Sequence, residues 1–266
     1  MLSIILSYLA IGIVAGFFAG LLGVGGGLIM VPALVLLFQH LGLPREVIFQ
    51  MALGTSMASI LFTSVASLRA HHQHQAVIWS VVRAISPGIL LGAGIGTFLA
   101  RHLSVQFLAL FFSGFMLYVA AQMSLNFRPK PSRGLPGPAG IAAVGSVIGL
   151  ISALAAIGGG AMTVPFLEWC NVPLRRAIGT SAAVGFPIAL GGTLGYVVNG
   201  WGLAGLPAWS LGFVYLPGLA CILTTSLMAA MLGAYAAHRL PARLLRLTFS
   251  GLLIVISSKM LYQLLV

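Results

Sequence analysis

Residues 20–34 read GLLGVGGGLIMVPAL, and residues 153–167 read ALAAIGGGAMTVPFL, 133 positions later. Seven of the fifteen positions agree, which points to a duplicated segment rather than to shared composition. The agreement includes Gly25, Gly26 and Gly27 against Gly158, Gly159 and Gly160, and Pro32 against Pro165. Each glycine costs a helix interior about 1 kcal/mol relative to alanine. Three together, twice over, predict that two apolar helices are deliberately broken. At such a break the backbone N–H and C=O groups lose their helical partners and must face protein, water or a ligand. A half-helix restarting near Gly27 or Gly160 would aim free N–H groups and a positive dipole end at the gap, an arrangement that suits an anion. The competing reading is close helix packing, the use expected of Gly12, Gly16 and Gly20 at four-residue spacing.

A second duplicated motif follows each break. Gly54-Thr55-Ser56 recurs as Gly179-Thr180-Ser181, and each places two hydroxyls near the expected start of the next span. Thr55, Ser56, Thr180 and Ser181 therefore join the triplets as candidate substrate-binding groups, although helical hydroxyls also bond back to their own carbonyls. Pro32 and Pro165 are read as structural members of the motif. Arg175 and Arg176 precede the second hydroxyl pair, but Gln50 and Met51 stand in their place in the first copy, so the charge is not duplicated. His71, His72 and His74 have no acid or cysteine beside them and do not make a metal motif. GVGGG has no preceding strand or acidic ribose partner and is not a dinucleotide fingerprint. No cofactor is expected. Glu46 and Glu168 are the only carboxylates, which excludes a relay of buried acids. Cys170 and Cys221 make no disulfide framework.

The elements that must position these groups are membrane helices. Hydrophobic residues form 60% of the chain, charged residues 6%, and mean hydropathy is +1.11. Soluble domains carry roughly 25% charged residues. Apolar runs long enough for a ~30 Å hydrocarbon core recur throughout, and none has the short alternating pattern of a barrel. The expected class is an all-α polytopic membrane protein, with the lipid bilayer as its surroundings. The net charge of +11 is then read as topology and lipid contact rather than nucleic-acid binding. The N-terminus lacks a charged region before its first apolar run, so no cleavable signal is expected.

Residues 3–38 and 139–169 are the long glycine-broken stretches. The first precedes spans at 47–68, about 76–100 and 105–125; the second precedes spans at 177–198, 211–237 and 244–266. Pro87-Gly88 pairs with Pro217-Gly218, and Gly96-to-Leu103 with Gly233-to-Leu240. The domains are residues 1–125, a basic linker at 126–138, and residues 139–266. If each broken stretch crossed the membrane once, six cations would face one side and seven the other. If each returns to the side it left, ten face one side and only Arg45, Arg101 and Lys259 the other. Cytoplasmic loops carry excess Lys and Arg, which favours the second arrangement. Each half then makes three crossings, so the halves are inverted repeats, both termini lie outside and the linker is cytoplasmic. Inverted repeats with broken helices at the midplane are an architecture of secondary transporters.

The glycine-triplet-to-proline motif, its second copy and the Gly-Thr-Ser after each resemble the sulfite exporter TauE/SafE family over essentially the whole chain. The resemblance implies an inner-membrane protein that moves sulfite, sulfonates or related small organic anions, usually outward, with Gly25–Gly27, Pro32, Gly158–Gly160 and Pro165 as signature positions. The expected partner is thus a small anionic substrate; assembly into a homo-oligomer stays open. Two other readings remain: a passive anion channel, and an intramembrane enzyme, for which Ser56 and Ser181 lack a placed histidine.

Overall fold

A computed structural model describes residues 2–22, 25–125, 134–237 and 242–265. Most of the basic linker, residues 126–133, lies outside the described residues, as do Gly23 and Val24 of the first motif. Ten helices follow one another: α1 (Leu2–Leu22), α2 (Gly27–His40), α3 (Arg45–Gln73), α4 (Trp79–His102), α5 (Val105–Ser124), α6 (Pro138–Ala155), α7 (Gly160–Trp169), α8 (Leu174–Gly200), α9 (Leu216–Ala237) and α10 (Ala242–Leu265). Among the described residues, seven helices are long and apolar enough to span a bilayer. The chain is a polytopic, all-α membrane protein, with almost no sheet among the described residues.

Both glycine-broken stretches divide as the composition predicts. α2 has 14 residues and α7 has 10, about 21 and 15 Å at 1.5 Å per residue, too short to cross a ~30 Å core alone. The other boundaries shift. α3 starts at Arg45, directly after Pro44, and α8 at Leu174, directly after Pro173. Thr55 therefore lies about 15 Å inside α3, in its third turn, rather than near a span's start. α9 begins at Leu216, not at 211, because Ser210–Leu211 and Val214–Tyr215 pair as a small antiparallel hairpin. Gly212 (φ 57°) turns that hairpin and presses on the Val197 carbonyl of α8, where a Cβ would collide. Pro87 stands deep in α4 whereas Pro217 is the second residue of α9, so this pair is not structurally equivalent.

Glycines set the helix directions. A Cβ on Gly12, Gly16 or Gly20 would strike α9 at Ile222, Ser226 or Ala230, so α1 and α9 run parallel in close contact. Gly88, Gly92 and Gly96 likewise meet the backbone of Ala142, Ser146 and Leu150, which makes α4 and α6 parallel. Gly191 and Gly195 on α8 meet Ala93 and Thr97 on α4, again parallel. α6 and α8 consequently run the same way, and α7 returns between them. In the first five helices, Gly26 folds back against Ala15 and Ala19 of α1, while Gly27 lies beside Ile60 of α3. α3 and α8 are antiparallel, Met57 facing Gly192, and they form the most buried pair. The largest enclosed side chains, Tyr196, Phe38, Phe49 and Phe112, surround this centre.

Backbone-to-backbone seams of this kind tolerate no added atom. Gly92→Val should destabilise the α4–α6 seam by about 1–3 kcal/mol, the usual range for overpacking. Gly94→Val, two residues away and facing open space, should change stability little. Thermal unfolding of the two purified variants in detergent tests the contrast.

Candidate functional site

The two helix breaks meet. A Cβ built on Gly25 would stand 3.1 Å from the Gly158 nitrogen, and one on Gly27 would overlap the Ala156 carbonyl. The breaks themselves are made differently. Gly25 (φ 89°) and Gly26 (φ 72°) are left-handed, and the Gly26 carbonyl accepts from the Ile29 and Met30 N–H groups at 3.1 and 3.0 Å to start α2. In the second break the left-handed residue is Ala156 (φ 44°), ahead of the triplet. There the Ile157 N–H closes α6 by donating to the Ser152 carbonyl at 3.1 Å. Gly159 is already helical (φ −60°), so its lack of a side chain answers to space: a Cβ would strike the Ser181 carbonyl of α8. Conformation explains glycine at 25 and 26, and close approach explains it at 27 and 159.

From this junction α2 and α7 start at Gly27 and Gly160, each leaving its first backbone N–H groups without a helical acceptor. Pro32 and Pro165 are each the sixth residue of their helix. Lacking an N–H, they free the carbonyls of Leu28 and Ala161 one turn from the break. Ser56, Ser59 and Ile60 lie on one face of α3, by their spacing of three and four, and Ile60 touches Gly25 and Gly27. The hydroxyls of Ser56 and Ser59 are buried and have no hydrogen-bond partner; so is that of Thr163, in the first turn of α7. Unpaired buried hydroxyls cost about 1–3 kcal/mol each, so these three are candidate donors for a bound group near the junction.

The two threonines do something else. Thr55 Oγ1 accepts the Tyr215 N–H at 3.0 Å, and Thr180 Oγ1 accepts the Ile78 N–H at 3.0 Å. Tyr215 directly precedes α9 and Ile78 directly precedes α4. The glycine of each motif makes the approach feasible: a Cβ on Gly54 would stand 2.8 Å from the Phe213 carbonyl oxygen, and one on Gly179 2.6 Å from that of Ala76. The Gly-Thr-Ser motif thus reads as clearance, latch and hydroxyl in succession. Both threonines are spent on latching helix starts across the bundle. The serines differ: Ser181 donates to its own helix at Ile178, 2.8 Å away, whereas Ser56 is free.

The structure therefore brings Gly25–Gly27 together with Gly158–Gly160, sets Ser56 on the face beside them, and turns Thr55 and Thr180 toward the helix starts. Arg175 and Arg176 are exposed at the start of α8. His72 Nδ1 accepts from Trp79 Nε1 at 3.3 Å, a local tie between α3 and α4. Sequence reasoning missed Ser59 and Thr163, single hydroxyls without a duplicate, and Tyr196, whose buried hydroxyl donates to the Ala153 carbonyl at 3.0 Å. A tyrosine inside an otherwise apolar span was the signal for the last.

Thr55→Val and Thr180→Val keep the side-chain shape but leave a backbone N–H unpaired. Each should lower stability by about 1–3 kcal/mol, with serine at either position restoring most of it. Detergent melting curves of the two valine and two serine variants check this.

The family model for sulfite exporter TauE/SafE matches residues 8–260. A probable membrane transporter protein of Haemophilus influenzae is 37% identical, over 98% of this chain and 99% of its own length. Probable membrane transporter proteins YunE of Bacillus subtilis and MJ0441 of Methanocaldococcus jannaschii are each 24% identical, covering 95% and 94% of this chain and 96% and 93% of theirs. No solved structure matches. With paired glycine breaks, the duplicated threonine latches and a family match over nearly its whole length, the chain belongs to the sulfite exporter TauE/SafE family.

Proposed function

We propose that this protein is a secondary transporter that exports a small anion, sulfite or a sulfonate in the first instance, across the inner membrane. The observation that carries this reading is the junction of the two breaks. Two helix N-termini start there, each with a positive end equivalent to roughly half a charge, beside the unpaired hydroxyls of Ser56 and Ser59. Oxyanions need several hydrogen-bond donors and a positive potential, and this place offers both without a fixed cation. The relatives' names support membrane transport, and the family's name supports the sulfur oxyanion class.

Two halves, residues 1–125 and 139–266, act as inverted repeats in this reading. Support comes from α6 running with α8 while α3 opposes α8, and from α1 running with α9, which starts beside Thr55 and passes Ala58 in the direction of α3. With those directions Arg69, Arg83, Arg175 and Arg176 share one end of the bundle, and Arg45, Arg101 and Lys259 share the other. The first end is the cytoplasmic one, and both termini are outside. Gly25 and Gly158 are in direct contact, so the anion enters as the two hairpins part, and alternating access is the opening of this contact to one side and then the other. An inside-negative potential drives a monovalent anion outward by ~2.3 kcal/mol per 100 mV, enough for export without an acidic coupling site.

Counterflow in proteoliposomes preloaded with sulfite tests the function. Saturable exchange is expected, abolished by Gly27→Ala and retained by Gly94→Ala. Ser56→Ala should raise the half-saturation concentration about 10–150-fold, the equivalent of one lost hydrogen bond to a charged ligand. Flux that rises linearly with concentration would instead mark a channel, and no flux with any small anion would end the transporter reading. A single cysteine at Gly134 should react with an impermeant maleimide only from the cytoplasmic side, and one at Arg101 only from outside; the reverse or a mixed result would sink the topology.

A further inference from the structure

On the flank of the bundle, α2, α5 and α10 enclose a crevice of about 280 Å3. Its walls are apolar, and two alanines, Ala33 on α2 and Ala109 on α5, line it where larger side chains would fill it. Exposed Leu36 and Val255 at its lip leave it open to the surroundings of the bundle, the acyl region of a bilayer. Two polar side chains border it, Gln39 near the end of α2 and Lys259 near the end of α10. Lys259 is the only lysine among the described residues, it is exposed, and neither glutamate pairs with it there. A cation set six residues inside an apolar helix must extend toward the headgroup layer to stay solvated or find an anion. The spacing of 137 that aligns Gly96 with Gly233 also aligns the first residues of α5 and α10, and it places Gln122 opposite Lys259. The cation is therefore no part of the duplicated framework.

We propose that this crevice is a binding site for one anionic phospholipid, an acyl chain lying in the apolar slot and the phosphate held by Lys259 with the Gln39 amide as second donor. An unpaired cation at the mouth of an apolar slot of this shape complements an amphiphile whose charge and chain are joined. Free phosphate would satisfy only the cation, and a neutral lipid only the slot. The assignment depends on the membrane reading and is independent of which ion is carried.

Native mass spectrometry of the purified full-length protein, titrated with phosphatidylglycerol and with phosphatidylcholine of equal chain length, tests it. The wild type should retain phosphatidylglycerol several-fold better, and glycerol phosphate should not displace it. Lys259→Gln should erase that preference while both lipids still bind weakly, and Ala33→Leu should reduce retention of both. Equal retention of the two lipids by the wild type, or an unchanged preference in Lys259→Gln, would overturn the proposal. Lys259 is exposed, so its substitution decides between these outcomes even if Ala33→Leu fails to fold. Loss of sulfite exchange with lipid preference intact would count against the transport reading alone.

Discussion

Backbone polarity at membrane depth is the constraint on which this structure turns. Inside hydrocarbon every N–H and C=O must find a partner, and an interrupted helix exposes several at once. Here two interruptions face each other. The first break presses Gly27 onto the Ala156 carbonyl, and the second sets Gly159 against Ser181 of α8. Among the described residues, Gly26, Gly27, Gly158 and Gly159 at the two breaks are buried in protein. The same enclosure that makes the breaks tolerable concentrates two helix N-termini and unpaired hydroxyls at one point. The shielding of the breaks and the gathering of free donors have one cause.

Holding that junction requires the helices around it to approach within backbone contact. Lipid tails are as apolar as leucine, so burial alone supplies little drive for helices to associate, and close packing with a few hydrogen bonds must supply it. Glycine rows on α1 and α4 provide the packing against α9 and α6. Hydrogen bonds across helices include those of Thr55 and Thr180, which receive the N–H groups at the starts of α9 and α4. Each latch joins a helix from one copy of the motif to a helix that belongs with the other, so the copies cannot be taken apart without losing both.

The two copies are alike in framework and unlike in chemistry. Ser56 is unpaired where Ser181 bonds to its own helix; the left-handed turn falls on Gly25 and Gly26 in one break and on Ala156 in the other. Gln50 sends its amide to the Ala100 carbonyl at 3.2 Å, while the corresponding Arg175 is exposed at the start of α8. The duplication thus preserves the framework of each copy while its polar side chains differ.

Much of this was legible in the amino-acid order. Composition established membrane helices, the repeated glycine triplets located both breaks, and the family resemblance rested on the same residues. The glycine stripe on α1 was readable as a packing seam, since small residues four apart have that one use. Periodicity could not say which helix fills the seam, because Gly12 and Thr225 are more than 200 positions apart and nothing local encodes their meeting. The role of Thr55 and Thr180 was hidden for the same reason: a hydroxyl's partner is whichever backbone group the fold delivers, and Tyr215 and Ile78 arrive from distant segments. The start of α9 was misplaced because Ser210–Tyr215 is apolar enough to pass for helix until Gly212 turns it against α8. Sequence by itself determined where the chain breaks and what it is dissolved in, since those depend on local propensity and polarity. Tertiary structure alone decided that the breaks meet, because contact between segments 133 residues apart is a property of packing.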